Sequence, residues 1–492
     1  MEAIKPFIHF ALNWYWVPLI ILYVGVISAI LIENRNPTKT VAWILVIIFI
    51  PFLGLVFYYF FGQKFVKVQK LKRINKEQTV RLQHQWETLD PIMESFIEDI
   101  HGKIGDLSKV FRWMKNERLS SPTLENGVKL LINGEGKFGS LKQDLLAAKH
   151  SIHMEYYIFN PDTIGLEILD ILEQKASEGV TVRLIVDSFG SPELIKYIRK
   201  RKESSIQFKA FLPVTFTSLA NSNYRNHRKI TVIDASIGYV GGINICDKYI
   251  NKPDNPSRMY WRDTAIRVEG LSINMLQVNF WNSWNQTDGD PFLLEEGYLR
   301  VIKEERDICG QASVGFVSCD PASKGPFNLE ALLIAIGEAN TKIQLCTPYY
   351  IPGEELERAL IVAASSGVEV ELMVPARSDS YLVQHASFSF LKPLLERGVK
   401  VYQYKKGFMH AKTMNVDNKL CFIGTVNLDI RSFYINYEIA AAVSDVQLCR
   451  QMDKQFEEDK LDSELLTLRL WKTRPRWKRG LDSVCRLLAP LL

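Results

Sequence analysis

Two stretches of the chain place a histidine and a lysine in the same short pattern. The first, from His227 to Asn244, reads HRKITVIDASIGYVGGIN, and the second, from His410 to Asn427, reads HAKTMNVDNKLCFIGTVN. Both follow His-x-Lys-x4-Asp and continue to Gly, a small residue, any residue and Asn. One such pattern can arise by chance in 492 residues, but two copies with the same downstream residues indicate a shared function.

The spacing of the two residue types suggests chemistry on a phosphate. On a β-strand, residues i and i+2 point to the same side, so His227 projects with Lys229 and His410 with Lys412. A lysine attracts phosphate as a point charge, and an imidazole beside it can reach the phosphorus atom. One neutral histidine can attack phosphorus while the other, protonated, donates to the leaving oxygen and then acts as base for an incoming alcohol or water. This scheme for phosphodiester transfer needs no metal and no cofactor, and the sequence shows no metal-ligand pattern.

Four further polar residues fit supporting roles. Asn244 and Asn427 offer neutral amide donors to the non-bridging phosphate oxygens. Asp263 in WRDT and Glu438 in NYEI can accept a hydrogen bond from the second nitrogen of an imidazole and orient the ring. Whether each carboxylate serves the histidine of its own half or of the other half is open at this point.

The aspartates of the two motifs allow two interpretations. Asp234 and Asp417 complete the patterns and belong to the candidate catalytic set, but aspartate also favours turns through its own backbone hydrogen bonds. A catalytic and a purely structural role are therefore both open. Glu155 and Tyr157, on the strand expected before the first motif, are expected to be scaffold or pocket wall.

The elements around the motifs are themselves repeated. A strand-like stretch at 151–159, SIHMEYYIF, resembles one at 342–352, KIQLCTPYYIP, and each is followed by a helical stretch and a second strand. Strand-helix-strand units of this kind predict an α/β fold with a sheet in each half. We expect one domain over 121–305 and another over 306–460, with both motifs at the seam between them.

Two long uncharged stretches precede the repeats. They run from Trp14 to Ile32 and from Val41 to Phe61, and at about 1.5 Å per residue each is long enough for a hydrocarbon core of roughly 30 Å. We predict a transmembrane hairpin over 1–65 and a helical juxtamembrane linker over 66–120. A signal peptide or a hairpin buried in a soluble core are the alternatives. The basic residues that follow the second stretch predict that the rest of the chain is cytoplasmic.

Composition and charge argue against several classes of protein. The chain has 60 Lys and Arg against 55 Asp and Glu, a formal net charge of +5, which is too small an excess to indicate nucleic-acid binding. Seven cysteines without disulfide or zinc spacing fit a reducing compartment, and we expect Cys246, Cys346 and Cys421 to fill apolar cores. The final segment, 461–492, mixes Trp471 and other aromatic residues with cations and is predicted to be a basic amphipathic tail at an anionic membrane surface.

The paired motifs resemble those of the phospholipase D superfamily. The uncharged hairpin together with EYYIF, YWRDT and TPYYIP makes the whole chain similar to the bacterial cardiolipin synthase family. The resemblance implies two phospholipase D-like repeats with mixed sheets flanked by helices, related by a pseudo-twofold axis. It also implies transfer of a phosphatidyl group from one phosphatidylglycerol to another, giving cardiolipin and glycerol, without metal or nucleotide. Its partners would be the phospholipids of the bacterial inner membrane, which the chain would cross twice.

The resemblance also assigns roles to the motif residues. It makes His227 the nucleophile and His410 the acid and base, with the lysines and asparagines of both motifs around the phosphate. One departure follows each motif glycine, where serine is frequent in the family and this chain has Gly242 and Thr425. Either residue can still present a backbone N–H, so the site should be intact.

Several functions share these motifs. A phospholipase D-type hydrolase would let water replace the acceptor, and a transferase could use a different alcohol. A nucleic-acid phosphodiesterase is disfavoured by the uncharged hairpin and the weak basic excess, and an inactive membrane scaffold is disfavoured by two complete motifs. The acceptor lipid, homo-oligomerisation, acyl-chain preference and regulation are left open.

Overall fold

A computed structural model describes residues 16–32, 37–58, 92–201, 204–212, 223–251, 259–287 and 309–489. The chain divides into two compact units. The smaller contains Met1–Lys67 and Thr215–Asn223, and the larger contains Val68–Val214 and Tyr224–Leu492.

The described helices are numbered in chain order. They are α1 (Trp16–Ile32), α2 (Pro37–Phe49), α3 (Leu53–Phe57), α4 (92–104), α5 (Lys109–Asn116), α6 (Asn133–Ala147), α7 (Thr163–Ser177), α8 (Pro192–Lys200), α9 (Ile273–Asn285), α10 (Phe327–Gly337), α11 (Gly353–Ser365), α12 (Tyr381–Ser389), α13 (Leu391–Glu396), α14 (Ile430–Tyr434), α15 (Val446–Leu461), α16 (Leu468–Lys472) and α17 (Arg476–Leu487). Short 3₁₀ turns occur at Gly105–Ser108 and Asp247–Tyr249.

The described strands are numbered in the same way. They are β1 (Thr123–Ile132), β2 (Ser151–Tyr156), β3 (Thr181–Asp187), β4 (Gln207–Phe211), β5 (Lys229–Ile233), β6 (Ile237–Gly241), β7 (Tyr260–Arg262), β8 (Thr264–Glu269), β9 (Ala312–Cys319), β10 (Lys342–Cys346), β11 (Tyr350–Ile351), β12 (Glu369–Pro375), β13 (Lys400–Tyr404), β14 (Gly407–Met409), β15 (Thr413–Val416), β16 (Leu420–Gly424), β17 (Leu428–Asp429), β18 (Glu438–Ser444) and β19 (Ser463–Leu466).

The smaller unit contains the uncharged helices α1, α2 and α3. Ile30, Ile47 and Tyr58 form its buried cluster. The backbone of Phe52 has a positive φ of 65°, and its N–H donates to the hydroxyl of Tyr23 at 2.9 Å. Of the helices that the structure describes, none is both long enough and apolar enough to cross a membrane. The first two residues and the last three of the two predicted spans lie outside the described residues.

The larger unit is built on one sheet in which equivalent strands of the two repeats follow the same order from the two edges. From one edge the strands run β4-β3-β2-β5-β6-β8-β1, and from the other, after the additional strand β19, they run β13-β12-β10-β15-β16-β18-β9. In each half the strands that flank crossover helices are parallel and the others antiparallel. The predicted α/β fold with two repeats of mixed strands is therefore confirmed.

The two half-sheets join at their centre. β1 pairs antiparallel with β9 through Thr123 opposite Val314 and Asn126 opposite Ala312, so fifteen described strands form one sheet where the sequence predicted a sheet in each half. The physical reason is that the first strand of each repeat would otherwise leave an edge of unpaired N–H and C=O groups. Joining the two edges satisfies both.

A shared apolar core lies against the central strands and fixes the two halves relative to each other. It contains Ile230 and Val232 of β5 from the first half and Cys421 and Ile423 of β16 from the second, together with Phe316 of β9. Each half also has a core of its own under its outer strands. Cys246 and Cys346 are buried as well, so the three cysteines predicted to fill cores do so.

The linker and the tail pack onto the second half. Val110, Phe111 and Met114 of α5 are buried in its core, while residues 66–91 of the predicted linker lie outside the described residues. In the tail, Trp471 is buried at 4% exposure and packs edge-on against Phe388 of α12. Burial of Trp471 differs from its predicted position at a membrane surface.

Candidate active site

The two motif histidines lie at the seam, and each is held there by backbone of the opposite half. The N–H of His227 donates to the carbonyl of Tyr437 at 3.0 Å, and the N–H of His410 donates to the carbonyl of Arg262 at 2.7 Å. Strand β14, just before His410, pairs in parallel with β7 of the first half. The histidine of each repeat is therefore positioned by the other repeat.

The two predicted orienting carboxylates also act across the seam. Nδ1 of His227 lies 2.9 Å from Oε1 and 3.1 Å from Oε2 of Glu438. Nδ1 of His410 lies 2.6 Å from Oδ2 of Asp263. A carboxylate on Nδ1 places a proton on that nitrogen and leaves a lone pair on Nε2, at the far side of the ring. Both imidazoles thus have the tautomer that a nucleophile or general base requires.

The motif lysines lie beneath the histidines. Lys229 is 1% exposed and Lys412 is 4% exposed. Each donates from Nζ to the carbonyl of the histidine two residues before it. The lysines therefore brace the backbone of the two histidines.

Burial sets the protonation of these four groups. It lowers the pKa of His410 well below the ordinary value, with the nearby cations Lys412 and Lys248 adding to the effect. Burial also lowers the pKa of His227, although Glu438 opposes that shift. Burial lowers the pKa of Lys412 to about 8 and that of Lys229 well below its usual range. Both rings are consequently neutral near pH 7.

The two carboxylates differ in charge. Burial raises the pKa of Asp263 to about 6, against the opposing effect of Lys412. Burial also acts to raise the pKa of Glu438, but His227 and neighbouring donors outweigh it, so the pKa of Glu438 is lowered overall. Glu438 is therefore the more firmly anionic of the two.

The small residues after the motif glycines account for part of this difference. Thr425 donates its hydroxyl to Oε2 of Glu438, and this bond favours the charged form of the carboxylate. At Gly242 a Cβ atom would lie only 2.2 Å from Oδ1 of Asp263. Asp263 instead accepts from the backbone N–H of Thr264 at 2.7 Å. Glycine is thus required beside Asp263, and threonine supports Glu438.

A cavity of about 440 Å³ opens over the two histidines. Its volume is in the range typical of sites for small ligands, about 300–1,000 Å³. Residues of both halves line it, and they include the aromatic side chains of Tyr157, Tyr249, Trp261 and Tyr349. Tyr157 packs edge-on against His227, with ring centroids 5.1 Å apart.

The predicted phosphate-contacting asparagines both line the cavity, with different partners. Asn244 accepts from the N–H of Ile158 at 3.0 Å and donates to the hydroxyl of Tyr249 at 2.7 Å. Within the described residues, Oδ1 of Asn427 is buried without a hydrogen-bond partner. Asn244 is accordingly held in place by the protein, whereas Asn427 has bonding capacity left for a ligand.

Asp234 and Asp417 do not join the histidines. Each lies at the far end of its motif strand, in a turn where it and the next residue have positive φ. Asp234 accepts from three successive backbone N–H groups, beginning at Lys149, at 2.7–2.8 Å. Asp417 accepts from three such groups, beginning at Asn340, at 2.8–2.9 Å. Of the two interpretations open from sequence, the geometry favours the structural one for both residues.

Three cations of the cavity were not among the predicted site residues. They are Arg225, Lys248 and Arg431. A signal for two of them exists in the repeat, because Lys248 lies four residues after Asn244 and Arg431 lies four residues after Asn427. Arg225 has no counterpart in the second motif, where Phe408 takes its place two residues before the histidine.

The fold and the crossed histidine-carboxylate pairs define an enzyme of the phospholipase D class. Among solved structures, phosphatidylserine synthase from Haemophilus influenzae has the same fold, with a TM-score of 0.59 and 15% identity over 79% of this chain and all of that one.

Comparison of sequences narrows the class to one family. The family model for the cardiolipin synthase, PLD-like domain matches residues 141–255 and 332–460, and the model for the phospholipase D-nuclease N-terminal region matches 16–63. Cardiolipin synthase from Halalkalibacterium halodurans is 35% identical over 480 residues, 97% of this chain and 93% of that protein. The major cardiolipin synthase of Bacillus subtilis is 34% identical over 94% of this chain and 95% of that protein. The chain belongs to the cardiolipin synthase family.

Proposed function

We propose that the protein transfers a phosphatidyl group from one phosphatidylglycerol to another, producing cardiolipin and glycerol. The observation that carries the proposal is the pair of histidines in one cavity, each with Nδ1 on a carboxylate of the opposite half. Similarity to curated cardiolipin synthases along nearly the whole chain supports the choice of substrate.

In the first step, Nε2 of one histidine attacks the phosphorus of the donor lipid. A P–N bond forms, the bond from phosphorus to the headgroup glycerol oxygen breaks, and the electron pair leaves with that oxygen. The second histidine donates a proton to it, so free glycerol departs. Lys229 and Lys412 beneath the rings offset the charge that gathers on the phosphoryl oxygens.

In the second step, the same two histidines act in reverse. The second histidine, now neutral, accepts the proton of a primary hydroxyl on the acceptor headgroup. The hydroxyl oxygen bonds to phosphorus, and the P–N bond breaks with its electron pair returning to Nε2. Cardiolipin leaves, and both rings regain their starting state without any external oxidant or nucleotide.

We assign the nucleophile to His227 and the acid and base role to His410. The attacking ring acquires positive charge when its Nε2 is phosphorylated, and Glu438, whose pKa is lowered, is the stronger anionic support for that charge. Burial and, after it, the nearby cations lower the pKa of His410 and keep the ring neutral before the donor binds. A substrate phosphate offsets those cations and so favours protonation of His410.

A hydrolase of the phospholipase D type is the second candidate, because water can take the place of the acceptor hydroxyl. The aromatic wall of the cavity favours transfer, since apolar rings around the intermediate restrict the access of water. The two activities give different products from one substrate, and this makes the choice between them directly testable.

We also propose that the protein works at the bacterial inner membrane. The uncharged stretches from Trp14 to Ile32 and from Val41 to Phe61 would cross the membrane twice, with the catalytic halves on the cytoplasmic side. At the other end of the chain, Trp477 is 64% exposed on the basic helix α17, a combination suited to anionic headgroups. Phospholipids of that membrane would then be both the surroundings and the substrates of the enzyme.

The first experiment is an assay of the full-length protein in vesicles of radiolabelled phosphatidylglycerol with a chelator present. We expect cardiolipin and an equal amount of glycerol. His227→Ala and His410→Ala should each abolish both products. Phosphatidic acid as the main product would support the hydrolase, and cardiolipin formation by either alanine variant would contradict the two-histidine mechanism.

The assignment of the nucleophile to His227 can be tested by stopping the reaction after a short time without acid and locating the covalent intermediate. Because a phosphohistidine is stable in alkali, labelled lipid phosphate should be recovered on a peptide that contains His227. Recovery on the peptide that contains His410 would reverse the two roles without affecting the overall reaction.

A further inference from the structure

Two arginines lie on the cavity wall beside His227, and the mechanism above gives them no part. Arg225 lies two residues before His227, and Arg431 lies on α14, four residues after Asn427. Arg225 is only 6% exposed. The two guanidinium groups come from different halves of the chain, and both line the cavity.

Tyr157 shows that the two arginines are neighbours. The electrostatic environment of its hydroxyl includes both Arg225 and Arg431, while its ring packs against His227. Burial lowers the pKa of Arg431, the carboxylate of Asp429 opposes that shift, and the positive charge of Arg225 adds to it. The two guanidinium groups are therefore close enough to influence each other.

Carboxylates are also present near the arginines: Asp187 lies near Arg225, and Asp429 lies near Arg431. Asp187 accepts from the N–H groups of Phe189, Gly190 and Asn226 at 2.9–3.0 Å. Asp429 accepts from the N–H of Ser432 at 2.7 Å. These carboxylates reduce the net charge of the region, and both arginines line the cavity wall beside them.

The opposite side of the cavity, beside His410, has a different character. Lys248 is the repeat counterpart of Arg431, and Phe408 is the counterpart of Arg225. Lys248 lies 4.2 Å from the ring centroid of Trp261, which itself packs against His410. The pseudo-twofold symmetry of the fold is therefore broken in the cavity: two arginines accompany Asp429, whereas one lysine accompanies Asp379 among aromatic rings.

The proposed reaction requires two phosphates in this cavity at once. The acceptor phosphatidylglycerol carries its own phosphodiester, joined through one glycerol to the hydroxyl that attacks the phosphatidyl-histidine. That second phosphate must lie only a few bonds from the reacting phosphorus. Arginine matches a phosphate with two parallel N–H donors, and a pair of arginines on one side of the reacting center can fix its position.

We propose that Arg225 and Arg431 form a second phosphate-binding subsite that holds the phosphodiester of the acceptor lipid. This inference rests on the proposed function, because it concerns the acceptor of that reaction. The subsite selects a lipid that carries both a phosphate and a free hydroxyl over acceptors that lack the phosphate, such as free glycerol or water.

The test compares two acceptors in the same full-length protein. Cardiolipin formation from phosphatidylglycerol needs the acceptor phosphate, whereas exchange of radiolabelled glycerol into phosphatidylglycerol uses the same intermediate with an acceptor that has none. In Arg431→Gln we expect cardiolipin formation to fall by about tenfold to a hundredfold, the usual effect of losing a hydrogen bond to a charged group. Glycerol exchange should stay within about threefold of wild type, because the donor site is intact.

Further variants separate a binding role from a structural one. Arg431→Lys keeps the charge without the fork and should give an intermediate loss of cardiolipin formation. Arg225→Gln should behave as Arg431→Gln does, and Arg199→Gln, at an exposed position on α8, serves as the matched control. Thermal unfolding of each variant checks that the fold is retained, and Arg431 carries the test if Arg225→Gln does not fold.

Two results would overturn the subsite. Equal losses of cardiolipin formation and glycerol exchange in a folded Arg431→Gln protein would mean that the arginines serve the donor or the fold. No loss of either rate would mean that the acceptor phosphate is bound elsewhere. Failure of the proposed function is distinguishable from both, since the wild-type protein would then make no cardiolipin.

Discussion

The two catalytic histidines are chemically alike and differ in what surrounds them. Glu438 meets His227 with both oxygens and receives the hydroxyl of Thr425. Asp263 meets His410 with one oxygen and has a pKa raised to about 6 by burial. One histidine is thus paired with a firm anion and the other with a carboxylate close to protonation. This difference gives a physical basis for the unequal roles proposed for the two rings.

Removing the charge of Glu438 should disable the chemistry of the other half. Glu438→Gln keeps the size of the side chain but cannot support positive charge on His227, and it can favour the wrong tautomer. We expect kcat for cardiolipin formation to fall by about 10²- to 10⁴-fold, as for other orienting carboxylates. Initial rates of cardiolipin formation at saturating phosphatidylglycerol measure this change in kcat. A rate within about threefold of wild type would contradict the pairing.

The buried lysines should set the alkaline limit of activity. Because burial lowers the pKa of Lys412 to about 8, the cation is present below that pH and lost as the pH rises through it. The ratio kcat/KM, which reports the free enzyme, should therefore decline above about pH 8. The pKa values of the histidines are lowered, so the acid limit should lie below 6.5.

Lys412→Arg provides the control for this pH profile. Arginine stays protonated across the whole range, so the variant should keep its remaining activity to higher pH, and any decline left should report Lys229. A wild-type profile that is flat to pH 10 would show that neither lysine titrates in the range expected.

At the scale of single elements, the motif hairpins are organised by their aspartates. Asp234 closes the turn between β5 and β6 and binds backbone at the start of β2, and Asp417 does the same for β15, β16 and β10. Each motif strand is thereby fixed to the strand beside it, with the histidine shortly before it and the aspartate directly after it. The spacing that the two motifs share is a consequence of strand length as much as of chemistry.

Replacing either aspartate should affect stability more than catalysis. In Asp417→Ala, three backbone N–H groups and the hydroxyl of Thr341 lose their acceptor, at a cost of about 1–3 kcal/mol for partly exposed groups. Chemical denaturation should show this decrease in the free energy of unfolding. The folded fraction should retain kcat close to wild type, and a loss of kcat with unchanged stability would restore the catalytic interpretation.

At the scale of the whole molecule, the tail is anchored by one buried acid. Asp482 of α17 pairs with His385 of α12 at 2.6 Å and with Arg474 at 2.7 Å. α12 follows Asp379 and contains Val383, both of which line the cavity. The tail is therefore fastened to an element of the cavity wall while it presents Trp477 outward.

Loss of that anchor should release the tail. Asp482→Asn removes the counter-ion of Arg474, whose side chain is 17% exposed, so the cost should lie below the about 3–5 kcal/mol of fully buried pairs. We expect trypsin to cut between Arg474 and Arg479 at least about tenfold faster, since each 1.4 kcal/mol is worth a factor of about ten. Asp170→Asn, at an exposed position on α7, is the control. Equal cleavage rates in the two variants would show that the apolar contacts of Trp471 suffice.

Much of the fold and of the site was predictable because the sequence contains the same motifs and elements in two halves. The duplicated pattern located His227 and His410, and the strand and helix periods of each repeat indicated the fold class. Contacts between the repeats were beyond that reasoning, since the pairing of Glu438 with His227 depends on how two halves meet in space. The joining of β1 to β9 has the same cause.

Other differences between the sequence prediction and the structure concern residues whose role depends on their neighbours in space. Arg225 has no equivalent in the second motif, where Phe408 stands, so comparison of the two halves could not identify it. Trp471 looked like a membrane-facing residue from its neighbours in sequence, but α12 offers an apolar surface that buries it. Asp234 fits both a turn and an active site by type alone, and only its three backbone partners favour the turn.

The crossed carboxylates also bear on how the gene can change. Gly242 leaves room for the short Asp263, and Thr425 accompanies the longer Glu438, so neighbour and acid are matched in size within each half. A mutation in either pair of neighbour and acid first changes the surroundings of the histidine in the other half. The surfaces of the two repeats can diverge in sequence independently, but the residues that face each other across the seam must change together. A recombinant protein with one half from a relative would be active only if the carboxylate of the new half fits the histidine of the old one.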